Sequence, residues 1–326
     1  MADCENQLEL AECCDTTVLS GISKRNLLVE SFLAKGSYAT VLKGHNTDTN
    51  TQVALKIVDS KKKCEYTQRF LPRERDIWPH LSHVNVIRLH TMIDLDPYLV
   101  FVCEYAENGD LLSKIKRERR IAEPQAKRIF LQIIEALKYL HSVKVVHRDL
   151  KCENVYLDRN DNVKLGDFGF ARLLEKNDNT TTFCGSRAYA APEILSALPY
   201  DAYMSDIWSL GVVLFIMVTG CMPYNDTDAY KMLRRQIEHK VRFPSSTPIS
   251  NEAKNLIYNI MDPRPNNRPN LRQICKHSWL SDTSYEMNVG VISRIKRMVH
   301  KFRKNPYSLR QPNSTRTTKT RSERQQ

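Results

Sequence analysis

Val146-His147-Arg148-Asp149-Leu150-Lys151-Cys152-Glu153-Asn154 is followed along the chain by Gly166-Asp167-Phe168-Gly169 and then by Ala191-Pro192-Glu193. Transfer of a phosphoryl group needs a carboxylate to orient the acceptor hydroxyl, a cation near the migrating phosphate, and magnesium ligands held in fixed relation to both. These strings supply all three. Asp149 is the expected acceptor of the hydroxyl proton, Lys151 the cation, and Asn154 with Asp167 the pair that holds Mg2+ between phosphates. Asp149 matters mainly by position, because a carboxylate with pKa ~4 is a weak base and takes the proton only late in the transfer.

Outward from these strings the chain changes texture. Residues 27 to 99 carry mainly β signals. In the strand around Val53-Ala54-Leu55-Lys56, residues Val53, Leu55 and Ile57 share one face and Ala54, Lys56 and Val58 the other. Pro124 opens a helical pattern in which Ile129, Phe130, Ile133, Ile134, Leu137 and Leu140 recur every three or four residues. A second helix, around Asp206 to Thr219, is apolar nearly all round and is expected to be a buried core helix. A small β-rich lobe therefore precedes a larger helical one.

The catalytic string, the D-F-G, the A-P-E and Asp206-Ile-Trp-Ser-Leu-Gly211 stand in the order and spacing of a eukaryotic protein kinase, which the chain resembles from about Leu27 to Leu280. The resemblance implies an α+β, bilobal fold with a kinase domain over 24–280: an N-lobe to about 102, a hinge over about 103–110 and a C-lobe over 111–280. It also implies ATP as phosphate donor with Mg2+. Lys56, in the strand that resembles V-A-I-K, would reach the α and β phosphates and pair with Glu74, while Ala54 would pack on adenine. The phosphate loop of such enzymes reads G-x-G-x-x-G-x-V. Here Ala34-Lys35-Gly36-Ser37-Tyr38-Ala39-Thr40-Val41 keeps the central glycine alone, and Ala34, Lys35, Gly36, Ser37 and Val41 would still line the nucleotide. Cys103 would be the gatekeeper behind adenine, Glu104 and Ala106 would offer backbone groups to it, and Asp110 would face the ribose.

Lys151 and Gly185-Ser186 match kinases that act on serine and threonine. Glu153 and Asp110 match positions that face arginines in basophilic members, so the expected partners are proteins with acceptor hydroxyls near basic residues. Arg148, beside the catalytic aspartate, is uncompensated until a phosphate on the activation segment pairs with it. Thr182 is the expected phosphorylation site and Arg172 a second clamp, with an upstream activating kinase or a chaperone as further partner. Asp206 would hold the catalytic loop, Glu193 would pair with Arg268, and Trp78 would stack towards Phe168 and His147.

Phe70-Leu-Pro-Arg-Glu74, Thr182-Phe-Cys-Gly-Ser-Arg-Ala-Tyr-Ala-Ala-Pro-Glu193 and Lys231-Met-Leu-Arg-Arg-Gln-Ile-Glu-His-Lys-Val-Arg-Phe-Pro244 are similar to the testis-specific serine/threonine kinases, in the calmodulin-dependent kinase group. A role in sperm development is what that similarity implies. The alternative is a weakly active pseudokinase scaffold, suggested by the altered phosphate loop.

Composition narrows the field further. Of the 326 residues, 41% are hydrophobic and 26% charged, enough to bury a core. The net charge of +12 divides into an acidic leader over 1–23, expected to be flexible, a kinase domain near +9, and a basic tail over 281–326 near +8. An amphipathic helix is expected at about 289–304. The tail lacks the interleaved aromatics of a nucleic-acid binder, and no DNA partner is expected. Nine cysteines without a C-x-x-C pair fit a reducing compartment. With neither a leader peptide nor a transmembrane run in view, the expectation is a monomeric cytoplasmic protein, with the sperm flagellum or nucleus as alternatives.

Overall fold

The computed structural model describes residues 15–174 and 184–281. Thr182 and the segment 289–304 lie outside the described residues.

Five strands, β1 (Leu27–Lys35), β2 (Ala39–Asn46), β3 (Thr51–Asp59), β4 (Leu89–Leu95) and β5 (Tyr98–Glu104), form one antiparallel sheet in the order β1-β2-β3-β5-β4. Alternation along β3 divides its side chains between two environments. Val53, Leu55 and Ile57 join Leu42, Val100 and Val102 in a core cluster, while Ala54 and Lys56 stand opposite Cys103 and Phe101 on the other face. The leader contributes to that core. Helix α1 (Thr16–Ser23) is capped by Asp15, which accepts from the Thr17 N–H at 2.9 Å. It buries Val18 and Ile22 in the cluster, so the end of the segment expected to be flexible is an ordered helix. Each of these apolar side chains gains about 1.5–3 kcal/mol on burial.

Between β3 and β4 a π-helical turn, Tyr66–Phe70, runs into α2 (Leu71–Ile77), and Pro72 sits in the first turn of that helix, where a missing N–H costs nothing. The larger lobe begins with α3 (Leu111–Glu118), capped by Asp110, and α4 (Glu123–Ser142). In α4 the residues at helical spacing, Ile129, Phe130, Ile133, Ile134, Leu137 and Leu140, are all buried. Two small ribbons follow, β6 (Val145–Val146) with β9 (Arg172–Leu173), and β7 (Val155–Leu157) with β8 (Val163–Leu165). They bracket the catalytic string and the D-F-G.

Helix α5 (Pro192–Leu195) precedes α6 (Ala202–Thr219). The expected core helix starts four residues earlier than its apolar run because Asp201 caps it, accepting from the Tyr203 N–H. Its length and composition would suffice to cross a bilayer, but 83% of it is buried inside the lobe. Helices α7 (Ala229–Ile237), α8 (Asn251–Ile260) and α9 (Leu271–Cys275) complete the lobe.

One ion pair ties the end of the lobe to its middle. The Arg268 guanidinium donates to both oxygens of Glu193, at 2.6 and 2.7 Å, with the arginine side chain fully buried. Removing one partner of such a pair leaves a buried charge uncompensated. Arg268→Met is therefore expected to cost about 3–5 kcal/mol of unfolding free energy in urea titration. A loss below about 1 kcal/mol, the range of an exposed pair, would refute the structural role.

Candidate active site

The catalytic string is held from below by one buried carboxylate. Asp206 of α6 accepts from the backbone N–H of His147 at 3.0 Å and of Arg148 at 2.9 Å, and its Oδ2 lies 3.0 Å from His141 Nε2. Burial alone would raise the Asp206 carboxyl, but these hydrogen bonds bring it below its ordinary value. The two donors fix a bend in which Arg148 takes a φ of 63°, a left-handed conformation disfavoured for a residue with a side chain.

That bend presents Asp149. Its Oδ1 accepts from the Ser186 N–H at 2.8 Å, and its Oδ2 lies 2.8 Å from Lys151 Nζ and 3.2 Å from Asn154 Nδ2. Lys151 also donates to Ser186 Oγ at 3.0 Å, and Asn154 to the Asp149 carbonyl at 2.8 Å. Three residues identified from the sequence, Lys151, Asn154 and Ser186, thus meet around the Asp149 carboxylate.

A second group faces it from the smaller lobe. Lys56 Nζ lies 2.7 Å from Glu74 Oε1 and 2.9 Å from Asp167 Oδ1. Burial would lower the ammonium, but Asp167 and Glu74 together hold it well above its ordinary value. Burial likewise would raise Asp167, and Lys56 brings it down to about 2. The contribution of this carboxylate to stability is thus complete above its ordinary value near 4 and is lost as pH falls towards 2. Glu74 Oε2 accepts from the Tyr66 hydroxyl at 2.6 Å. Trp78 stacks on Phe101, and Phe168 lies between Trp78 and His147 at centroid distances of 5.8 and 5.5 Å.

The residues expected to line the nucleotide take simpler positions. Ala34 and Ala39 lie within β1 and β2, and the turn between them is closed by the Gly36 N–H donating to the Ala39 carbonyl at 2.8 Å. A Cβ on Gly36 would meet only that carbonyl, at 3.6 Å, so strand geometry here asks little of glycine. Val41 is in register with Lys56 across β2 and β3. Cys103 is buried beside Ala54, whose carbonyl accepts its thiol at 3.4 Å. In the hinge, the Glu104 N–H donates to the Arg88 carbonyl and the Glu104 carboxylate pairs with Lys164, while the Ala106 carbonyl accepts from Gly109. Both Asp110 oxygens accept from Ser113, so the residue expected at the ribose is also a helix cap. Glu153 accepts from the Tyr189 hydroxyl at 3.0 Å.

Arg172 is in register with Val146, on the strand next to Arg148. Nη1 and Nη2 of Arg148 and Nη1 of Arg73 are buried with no hydrogen-bond partner. Burial and the charges of Arg148, Arg172 and Arg69 all push the Arg73 guanidinium down. Arg73, Tyr66 and Tyr38 were not among the residues singled out from the sequence. Arg73 carries a local signal, since it adjoins Glu74, whereas nothing in the order of residues marks the two tyrosines as neighbours.

Comparison with known proteins follows the same lines. The protein kinase domain family matches residues 28–280. This chain belongs to the protein kinase family. It is 44% identical over 266 residues to testis-specific serine/threonine-protein kinase 2 of Mus musculus, covering 79% of the chain and 74% of the relative. It is 42% identical to testis-specific serine/threonine-protein kinase 1 of Homo sapiens, over 79% of the chain and 72% of the relative. With testis-specific serine/threonine-protein kinase 3 of Mus musculus it shares 40% over 255 residues, covering 77% and 94%. This kinase is accordingly a serine/threonine protein kinase.

The buried Cys103 offers a direct chemical check. Burial pushes the Cys103 thiol up to about 12, so at pH 8 the reactive thiolate is essentially absent there. Iodoacetamide at pH 8 is expected to alkylate the exposed Cys221 and to leave Cys103 unmodified until urea unfolds the chain, read by peptide mass spectrometry. Equal alkylation rates at the two cysteines in the native protein would contradict the buried site.

Proposed function

We propose that this kinase transfers the γ-phosphoryl group of ATP to serine and threonine hydroxyls of protein substrates, in the presence of Mg2+, and that phosphorylation of Thr182 activates it. The observation that carries this reading is the convergence of Lys151, Asn154 and the Ser186 N–H on the Asp149 carboxylate. Those contacts fix the carboxylate where an acceptor hydroxyl can hydrogen-bond to it.

In the transfer, the hydroxyl oxygen bonds to the γ-phosphorus as the bond from that phosphorus to the β,γ-bridging oxygen breaks. ADP departs with the electron pair, and the hydroxyl proton passes to Asp149. Lys151, 2.8 Å from Asp149, neutralises charge on the moving phosphoryl group. Lys56, held by Glu74 and Asp167, meets the α and β phosphates. Asn154 and Asp167 fit Mg2+. The amide nitrogen of Asn154 is turned to Asp149, which leaves its oxygen as the atom that would hold the ion. One Asp167 oxygen faces Lys56, and a hard cation that keeps several waters and binds phosphates needs only one or two such side chains. Bound there, the ion would screen the phosphate charges.

Four further parts of the reading have separate support. The unpartnered guanidinium nitrogens of Arg148 and Arg73 are donors suited to a phosphate on the activation segment. The names of the relatives support a role in sperm development, and Glu153 and Asp110 support substrates with basic residues near the acceptor. Six free thiols among the described residues fit a cytoplasmic setting. A pseudokinase scaffold is not favoured, because Ala34, beside a bulge, and Ala39 both fit within the paired strands β1 and β2, and the charged residues of the site are all present.

Incubation of the full chain with radiolabelled ATP, Mg2+ and a basic protein is expected to give incorporation that falls by about 10²–10⁴ in Asp149→Asn. Thr182→Ala is expected to lower it at least several-fold. Background incorporation by the wild type, equal to that of Asp149→Asn, would defeat the enzymatic reading, and full activity of Thr182→Ala would defeat the activation step.

A further inference from the structure

A single buried tyrosine touches three moving parts of the site. Tyr66 is the first residue of the π-helical turn that leads into α2, a geometry found mostly where function demands it. Its hydroxyl donates to Glu74 Oε2 at 2.6 Å, on the carboxylate whose other oxygen holds Lys56. Its ring lies against the D-F-G glycine, since a Cβ on Gly169 would sit 3.2 Å from Tyr66 Cε2. Its other neighbour is Tyr38, from the turn of the phosphate loop, stacked at a centroid distance of 4.5 Å with an interplanar angle of 9°.

Glu74 is fully buried and needs both oxygens satisfied. Lys56 satisfies one and Tyr66 the other. Burial, opposed by Lys56 and reinforced by Glu74 and Asp167, raises the Tyr66 phenol above its ordinary value and keeps it a donor. Tyr38 is 45% exposed, and its ring contact in the turn is this stack. We propose that Tyr66 is a positioning residue for the Lys56–Glu74 pair, and that the Tyr38–Tyr66 stack is a clasp that holds the single-glycine phosphate loop over that pair. The inference rests on the ATP-dependent reaction proposed for this site. The clasp ties loop closure to the inward position of α2: a loop lifted from the cleft loses the stack, and an α2 swung outward takes Tyr66 with it.

The two tyrosines are expected to respond oppositely to the same substitution, because Tyr38 contributes a ring and Tyr66 a ring and a hydroxyl. Tyr38→Ala should raise KM for ATP by about 2- to 12-fold, the worth of an aromatic stack, with kcat little changed, and Tyr38→Phe should restore it. Tyr66→Phe keeps the ring and the packing but leaves a buried carboxylate oxygen unpaired, and should lower kcat/KM by about 5- to 100-fold. Amide hydrogen exchange of the full chain without nucleotide supplies a readout independent of catalysis. Exchange over Leu71–Ile77 should accelerate in Tyr66→Phe and Tyr38→Ala but not in Tyr38→Phe, while Ala202–Thr219 stays as protected as in the wild type, which separates local opening from failure to fold. An inactive wild type would count against the proposed reaction, and the exchange pattern would still decide the clasp. Wild-type exchange over Leu71–Ile77 in both Tyr66→Phe and Tyr38→Ala, or equal effects of Tyr38→Phe and Tyr38→Ala, would overturn it.

Discussion

A lysine ammonium withdrawn from water is unaffordable alone, and Lys56 makes the smaller lobe dependent on two carboxylates it does not own. Its strand fixes the nitrogen, but Glu74 arrives on α2 and Asp167 on the segment after β8. Each carboxylate by itself would leave part of the desolvation cost uncompensated. With both in place, the position of α2 relative to the sheet and the conformation of the D-F-G are no longer independent. Asp167 has a φ of 57°, a backbone state that needs outside support. The ion pair to Lys56 is one source of it. The stack of Trp78, Phe168 and His147 supplies the apolar counterpart, running from α2's end through the D-F-G to the catalytic string.

The larger lobe solves a matching problem at Arg148. A left-handed bend is imposed on an arginine next to Asp149, and its stability comes from a buried acceptor 58 residues away in sequence. Asp206 can do this because α6 is buried nearly all round and cannot shift. Gly185 completes the arrangement from above. It has a φ of 87°, and a Cβ there would lie 2.5 Å from the Arg148 carbonyl and 3.0 Å from Asp149 Oδ1, so a side chain at 185 would displace the very group that Ser186 orients.

Legibility followed the range of the interactions. The catalytic string, the D-F-G and the strand bearing Lys56 are short, and their chemistry needs fixed residue types at fixed spacing. The sequence-level expectations for Lys56 with Glu74, for Asp206 beneath the loop and for Glu193 with Arg268 each correspond to a contact within 3.0 Å. Periodicity was enough for α4, whose pattern extends over several turns. It was not enough for α1, where Val18 and Ile22 give only one apolar pair in a run dominated by small and polar residues, and burial against Leu27 and Leu42 decides the outcome. The Tyr38–Tyr66 stack was hidden for a different reason. It joins a loop turn to a helical turn with two whole strands between them in sequence, and a tyrosine in either place reads as an ordinary surface aromatic until tertiary packing brings the rings together.

The scarcity of glycine acquires a physical meaning from these contrasts. In the phosphate loop, positions 34 and 39 are strand residues, Ala34 in register with Val41 beside a bulge and Ala39 in register with Val58. Alanine is then compatible with the fold, and the conformational restriction it adds over glycine favours the closed hairpin. Gly36 needs no left-handed φ either, whereas Gly185 needs both the conformation and the space. Ten glycines in 326 residues therefore do not measure how far this chain has drifted from a working phosphate site. Gly44, Gly185 and Gly220 mark where backbone approaches backbone too closely for a methyl group, and Gly36 of the phosphate loop is not one of those places.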